Sequence, residues 1–345
     1  MKGEIIQIMA AEKLPFLTEL YRRGIELIKT IQQIENPAMT VLVKFITTLG
    51  SAYFLVPLLL LVFWCIDEKR GIRLVLLTAL SSWANVSLKI LFAQPRPFHL
   101  EPELGLVPEP GYGIPSGHAQ TSLIVYFPLA SWTWNRFRKN RSVIYAITIL
   151  LILLIGFSRL YLGVHFPTDL LAGWLLGIIF LALFYILSPY LTVFLRERGM
   201  RGQLIASAAA ALIMNGIAPG DSSFPALFLG AGSGYSLMKH HFPFSASAPL
   251  KGKKPPFLFL ALRFVLGGAG AAIIFIALKF ILPGEKSIFA DLPFWGASSP
   301  YQTMGAFIRF CILGLWVTAG APRLFLMAGL AELEPDAAKA GREKT

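Results

Sequence analysis

Apolar positions along this chain gather into nine long runs, roughly residues 41–66, 72–93, 116–135, 142–162, 168–190, 203–219, 223–239, 257–281 and 303–328. A helix crossing a bilayer needs about 20 mostly apolar residues, and most of these runs supply them. The pattern predicts an all-α, polytopic integral membrane protein with about nine transmembrane helices. The sixth and seventh runs are short and rich in Ala and Gly, so they are expected to form a hairpin packed through small residues.

The first 36 residues follow a different pattern. From Pro15, apolar residues recur at Leu17, Leu20, Leu27, Ile31 and Ile34, while Glu19, Arg22, Arg23, Glu26 and Lys29 fall mostly on the other face. Pro15 suits a first helical turn, and Asn36-Pro37 ends the pattern. This is an amphipathic helix. Periodicity alone fits two settings for it equally, the membrane interface and the protein's own loops. The expected divisions are 1–36 for this interfacial helix, 37–200 for a core with helices one to five, 201–330 for an extension with helices six to nine, and 331–345 for a cytoplasmic tail.

Composition strengthens the membrane reading. Of 345 residues, 55% are hydrophobic and 14% are charged, against about 25% charged in soluble domains. A net charge of +12 would suit nucleic acid, but the basic residues sit mostly in short loops between apolar runs. No nucleic-acid partner is expected, and the charge sets topology instead. Lys69, Arg70, Arg73, Arg136, Arg138, Lys139, Arg141, Arg196, Arg198, Arg201, Lys239, Lys251, Lys253 and Lys254 follow odd-numbered runs. Arg96, Arg159 and Lys286 follow even-numbered ones. Fourteen against three predicts even loops and the N-terminus outside, with the C-terminus in the cytoplasm. Cys65 and Cys311 lie in apolar runs, so no disulfide framework is expected. The first residues lack the continuous apolar core of a signal peptide. No organelle-targeting pattern is evident, which makes a bacterial inner membrane the default expectation.

Three polar clusters interrupt the apolar sequence between residues 89 and 169: Lys89 to Arg96-Pro97, Pro115-Ser116-Gly117-His118, and Ser158-Arg159 to His165 and Asp169. The alternating topology brings all three to the outer side. Two of them open helices, whose free N–H groups and partial positive charge favour an anion. Arg96 and Arg159 can each offer a planar fork to phosphate oxygens, and Lys89 adds a point charge. Ser116 supplies a hydroxyl, and Gly117 lets backbone approach a ligand closely. Charged groups near a membrane span are costly and ask for a reason.

The histidines divide into a nucleophile and an acid. Neutral His165 can attack phosphorus if Asp169 accepts from its other ring nitrogen. His118 can protonate the leaving oxygen and later take a proton from water. Each residue has an ordinary alternative: a snorkelling Lys89, a loop at Arg96-Pro97, a simple cap at Pro115 to His118, a structural pair at His165 and Asp169. Their joint occurrence, in this order and on one face, favours the chemical reading. His99 lacks a matching catalytic partner, and His240 and His241 fall on the cytoplasmic side. Arg263 and Lys279 are expected to snorkel from helix ends. Arg309 is expected either to pair with an acid or to reach the interface.

The order Lys-x6-Arg-Pro, Pro-Ser-Gly-His, Ser-Arg-x5-His-x3-Asp resembles the three-part signature of the type 2 phosphatidic acid phosphatase superfamily. The superfamily includes lipid phosphate phosphatases, undecaprenyl pyrophosphate phosphatases, glucose-6-phosphatase and vanadium haloperoxidases. The resemblance covers about residues 40–190 without departure. It implies a six-helix-type phosphatase core, no metal and no other cofactor. It also implies His165 as nucleophile, His118 as acid and base, Asp169 as orienter, and Lys89, Arg96, Ser116, Gly117 and Arg159 as phosphate ligands. Residues 203–330 extend beyond a typical bacterial core and resemble glucose-6-phosphatase only in the number of spans.

The expected activity is hydrolysis of a lipid phosphate or pyrophosphate at the outer leaflet, with membrane lipid as partner and substrate. Three alternatives remain open: phosphoryl transfer to a second lipid, a vanadate-bound haloperoxidase, and a transporter or scaffold that binds an anionic headgroup without cleaving it. The last has no need of a nucleophile.

Overall fold

A computed structural model of the chain describes residues 15–134, 140–218, 221–250, 253–284, 286–292, 295–296 and 300–334. The basic residues Arg136, Arg138, Lys139 and Lys251, the first fourteen residues and the tail from 335 lie outside the described residues. Among the described residues the fold is all-α, with two isolated β-bridges and no longer strand.

Every predicted apolar run is helical. In chain order the helices are α1 (Pro15–Gln32), α2 (Pro37–Leu49), α3 (Ala52–Leu61), α4 (Glu68–Phe92), α5 (Pro97–Leu100), α6 (Gly117–Trp134) and α7 (Arg141–Tyr161). They continue with α8 (Pro167–Glu197), α9 (Gly199–Ile217), α10 (Ser223–His241), α11 (Phe257–Ile281), α12 (Gln302–Leu315) and α13 (Ala321–Met327). Local chemistry explains several boundaries. Asn36 accepts from the Met39 N–H at 3.0 Å and Pro37 occupies the first turn, which starts α2. A wide π turn, Val62–Ile66, continues α3, and a second one, Trp316–Gly320, joins α12 to α13.

Five described helices are long and apolar enough to cross a membrane, or six if α2 and α3, bent by 43°, form one span. The expected number was nine. The helices that fall short are α6, α9 and α10. Polar and small residues lower their hydropathy, and a physical reason accompanies this in two of them. In α6, Gln120 and Ser122 are buried against protein, so that face need not be apolar. In α10, Gly230, Ala231, Gly234 and Ser236 are buried. The helix packs against α9 and α12, and a Cβ on Gly230 would come within 2.0 Å of the Cys311 carbonyl of α12. The expected small-residue contact with α9 is present at Gly232 and Ser207, but α12 is a second close neighbour that the sequence did not indicate.

Two compact units emerge, within Met1–Val56 and Ala84–Ile186 and within Pro57–Trp83 and Leu187–Thr345. In the first, α1 lies on the chain's own loops. Tyr21 and Ile28 are buried with Leu104 and Phe166, and Gln32 donates to the carbonyls of Leu104 and Tyr161 at 2.9 Å each. The buried line runs through Tyr21, Gly24 and Ile28, while Leu27 and Ile34 are exposed. The expected stripe is therefore rotated by about one residue. Tyr21 causes this by packing its ring 4.9 Å from that of Phe166 while its hydroxyl bonds Gln94.

In the second unit, Arg263 does not snorkel. It is fully buried, with Nε donating to Leu330 O at 2.9 Å and Nη1 to Ala246 O at 2.8 Å and Trp64 O at 3.3 Å. Loops and the π turn leave carbonyls free there, and these take Nε and Nη1, while the buried Nη2 has no hydrogen-bond partner among the described residues. Arg309 lays its guanidinium 5.7 Å above the Phe275 ring. Lys69, Lys239 and Glu334 meet through 2.6 Å contacts. These residues follow the first, seventh and ninth apolar runs, so those three ends share one side.

Candidate active site

The three clusters come together within the first unit. Lys89, in the last turn of α4, donates from Nζ to the carbonyls of Tyr112 and Gly113, each at 2.8 Å. Four residues earlier, one helical turn away, Asn85 is buried and donates to Gln120 Oε1 at 2.6 Å and Pro115 O at 3.3 Å. One face of α4 therefore carries both a cation for the site and the brace that holds the 115–120 turn.

Arg96 opens the short helix α5 and is 2% exposed. Its backbone N–H donates to His99 Nδ1 at 3.1 Å, so His99 caps this turn and is structural. The guanidinium reaches Gly111 O (2.8 Å), Pro110 O (3.0 Å) and Val164 O (2.8 Å). Its Nη1 also lies 3.1 Å from His165 Nε2.

α7 ends so as to aim the turn that carries His165. Gly163 follows it with φ +67°, and a Cβ there would lie 1.9 Å from Leu104 O, so only glycine fits. The turn places His165 at 1% exposure, and α8 starts at Pro167 with Asp169 in its first turn. Asp169 Oδ2 lies 3.0 Å from His165 Nδ1 and accepts from the Phe166 N–H at 2.9 Å. With Nδ1 donating to the carboxylate, Nε2 carries the lone pair and faces Arg96. Burial, and after it the Arg96 guanidinium, hold the His165 imidazole well below its ordinary pKa. The ring is therefore neutral near pH 7, the state a nucleophile needs.

The Ser116 N–H donates to Asp169 O at 2.8 Å, which fastens the start of α6 to α8. Gly173 permits this contact, since a Cβ there would sit 2.5 Å from Ser116 O. Ser116 is fully buried and its Oγ stands 3.5 Å from the Ala119 N–H. A Cβ on Gly117 would meet nothing nearer than Asn85 Oδ1 at 3.5 Å, so packing within the protein does not demand glycine there. His118, half-buried in the first turn of α6, lies against Gly50.

Two residues join the site without any sequence signal pointing to them. Arg159 donates from Nη1 to Thr47 Oγ1 at 2.9 Å and from Nη2 to the Glu109 carboxylate, while its buried Nε has no partner among the described residues. Glu109 also lies 3.8 Å from Arg96 Nη2. Thr47 is one hydroxyl among several in α2, and Glu109 is one acid in a Pro- and Gly-rich loop, so neither stands out by spacing. Asn85 was legible in principle, four residues before Lys89 on the same helical face. Among the described residues no group of three or more His, Cys, Asp or Glu side chains comes together as a metal site.

Such a cluster can bind a phosphate among fixed cations and present it to an oriented imidazole. Comparison with known proteins finds phosphatases. Residues 70–192 match the PAP2 superfamily, and residues 223–333 match the transmembrane extension of PAP2 superfamily phosphatases. Phosphatidylglycerophosphatase B of Bacillus subtilis is 30% identical over 164 residues, which are 46% of this chain and 77% of that protein. Undecaprenyl-diphosphatase of Sulfolobus acidocaldarius is 33% identical over 164 residues, 45% of this chain and 73% of that one. The crystal structure of a transmembrane PAP2-type phosphatidylglycerolphosphate phosphatase from Bacillus subtilis aligns over 55% of this chain and 93% of its own, with 26% identity and a TM-score of 0.45. The chain belongs to the PAP2 superfamily, as an integral membrane phosphatase of phosphoric monoesters or diphosphates.

Proposed function

We propose that the protein hydrolyses a lipid phosphate or pyrophosphate at the outer, periplasmic face of a bacterial inner membrane, without a metal and through a phosphohistidine. One observation carries this reading: His165 is held by Asp169 at Nδ1 and turned by Nε2 toward Arg96. A phosphate seated on Arg96, Arg159 and Lys89, with the Ser116 and Gly117 end of α6, brings phosphorus to that nitrogen. The Nε2 lone pair forms the N–P bond as the P–O bond to the lipid breaks, and His118, carrying a proton taken up together with the anionic phosphate, gives it to the leaving oxygen. Water then attacks the phosphohistidine, His118 takes a proton from it, and phosphate leaves. Fixed cations offset the charge on the equatorial oxygens.

The names of both relatives support a lipid substrate. Two clusters of residues support the alternating topology independently. Lys89, Ser116, Arg159 and Asp169 gather in one unit, and Lys69, Lys239 and Glu334 gather in the other. Loop charge then puts the site outside and the C-terminus in the cytoplasm. The site belongs to the unit of 1–56 and 84–186, so the phosphatase core draws on the 37–200 segment without 57–83 and 187–200, which group with the 201–330 extension; 331–345 is the tail, and α1 packs on the loops beside the site. Purified protein in detergent should release phosphate from one or more of undecaprenyl pyrophosphate, phosphatidylglycerol phosphate, phosphatidate and a sphingoid phosphate, and more slowly from a sugar phosphate. The His165→Ala variant should release none. Binding of these lipids with no release by the wild-type protein would sink the hydrolase and favour a headgroup binder.

A further inference from the structure

Every cation in the phosphate cradle already has partners, and one of them is an anion. Lys89 is held by two carbonyls, and Arg96 by three. These backbone contacts fix the cations in place. Glu109 is different, because it sets a side-chain carboxylate on the two guanidinium groups. It takes Nη2 of Arg159 and stands 3.8 Å from Nη2 of Arg96. With Nη1 on Thr47, the buried Nε is the one nitrogen of Arg159 with no partner among the described residues. Arg159 cannot present its fork to a phosphate while Glu109 stays.

We propose that Glu109 is a tethered counter-anion, which occupies the cradle of the resting enzyme and is displaced when substrate phosphate binds. The inference rests on the phosphatase reading and adds a residue that the signature does not contain. The loop is built for such a role. Glu109 lies between Pro108 and Pro110, whose fixed φ angles hold its backbone and keep the carboxylate close to the arginines. The Pro110 and Gly111 carbonyls are bonded to Arg96, so the loop stays while the side chain swings. Glu109 is 26% exposed against 2–3% for the arginines, which gives it a way out toward solvent. Two buried cations without a counter-charge would repel each other and cost stability. The carboxylate removes that penalty between turnovers.

The consequence is a competition that weakens phosphate binding. If the carboxylate holds the cradle about nine-tenths of the time, the apparent affinity for phosphate is about tenfold below the intrinsic one. The test uses the full chain in detergent, with inorganic phosphate as competitive inhibitor of a soluble phosphate ester. Glu109→Gln should tighten the inhibition constant about tenfold. Glu109→Asp keeps the charge but is one methylene shorter and cannot span both guanidinium groups, so it too should tighten phosphate binding. Weaker inhibition in Glu109→Gln would make Glu109 a positioning residue for the arginines and overturn the proposal. Tighter inhibition in Glu109→Gln with no change in Glu109→Asp would reduce the effect to net charge and overturn it as well. A wild-type protein that neither cleaves the ester nor binds phosphate would instead remove the phosphatase reading, a result separable from both.

Discussion

Replacing Asp169 with asparagine isolates one electrostatic contribution. In the wild-type protein a single oxygen, Oδ2, meets both His165 Nδ1 at 3.0 Å and the Phe166 N–H at 2.9 Å. The asparagine amide oxygen can take that place and accept both bonds. The reversed orientation would point the NH₂ group at the Phe166 N–H, donor against donor, so the productive orientation is favoured. Backbone and tautomer therefore survive, and only the negative charge is lost. In the proposed mechanism that charge matters when His165 becomes cationic on attacking phosphorus. A hydrogen bond to a charged group contributes about 1.5–3 kcal/mol, and each 1.36 kcal/mol is tenfold in rate. The expected fall in kcat is about 10- to 150-fold, with KM near the wild-type value because Lys89, Arg96 and Arg159 are untouched. Asp169→Ala should do more damage, because it also strands the buried Phe166 N–H, at about 1–3 kcal/mol of stability. The assay is steady-state phosphate release with both variants, checked by thermal unfolding in detergent. A kcat within about threefold of wild type in Asp169→Asn, or a loss confined to KM, would refute the counter-charge argument; the threshold is set well below the tenfold expectation.

Three further outcomes are expected. In acid-quench experiments with a labelled ester of a good leaving group, His118→Ala should accumulate phosphohistidine on residue 165, because loss of the base slows hydrolysis by about 10²–10⁴-fold. His165→Ala should accumulate none, and label on His118 in the wild-type protein would reverse the roles. Activity should survive EDTA, because imidazole and fixed cations carry the proposed chemistry; loss that magnesium restores would show a metal requirement. In a background lacking Cys65 and Cys311, a cysteine at Ser298, outside the described residues, should react with a membrane-impermeant maleimide in intact cells, while one at Ser247 should not. The opposite result would move the site to the cytoplasm.

The sequence alone was enough to reveal the helical membrane fold, because apolar runs and loop charges are local signals. It also marked out eight candidate site residues, because cations, a helix-opening Ser-Gly-His and a His-x3-Asp pair have a fixed spacing that the chemistry requires. His165 and Asp169 are four residues apart across the start of α8, so spacing alone makes their contact legible. Other features depended on what lay opposite. Arg263 has the sequence position of a snorkelling residue because its place near a helix end is a local feature, whereas the carbonyls of Trp64, Ala246 and Leu330 that surround it are not. The buried face of α1 turned by about a residue because Phe166, far along the chain, offered Tyr21 a partner. The run that forms α6 read as a span from its sequence, but Gln120 and Ser122 lower its hydropathy, and only the structure shows that protein covers that face. Glu109 and Thr47 entered the site only through long-range contacts with Arg159. Spacing encodes what one helix or turn can assemble, but which groups meet across 50 or 112 residues is decided by packing.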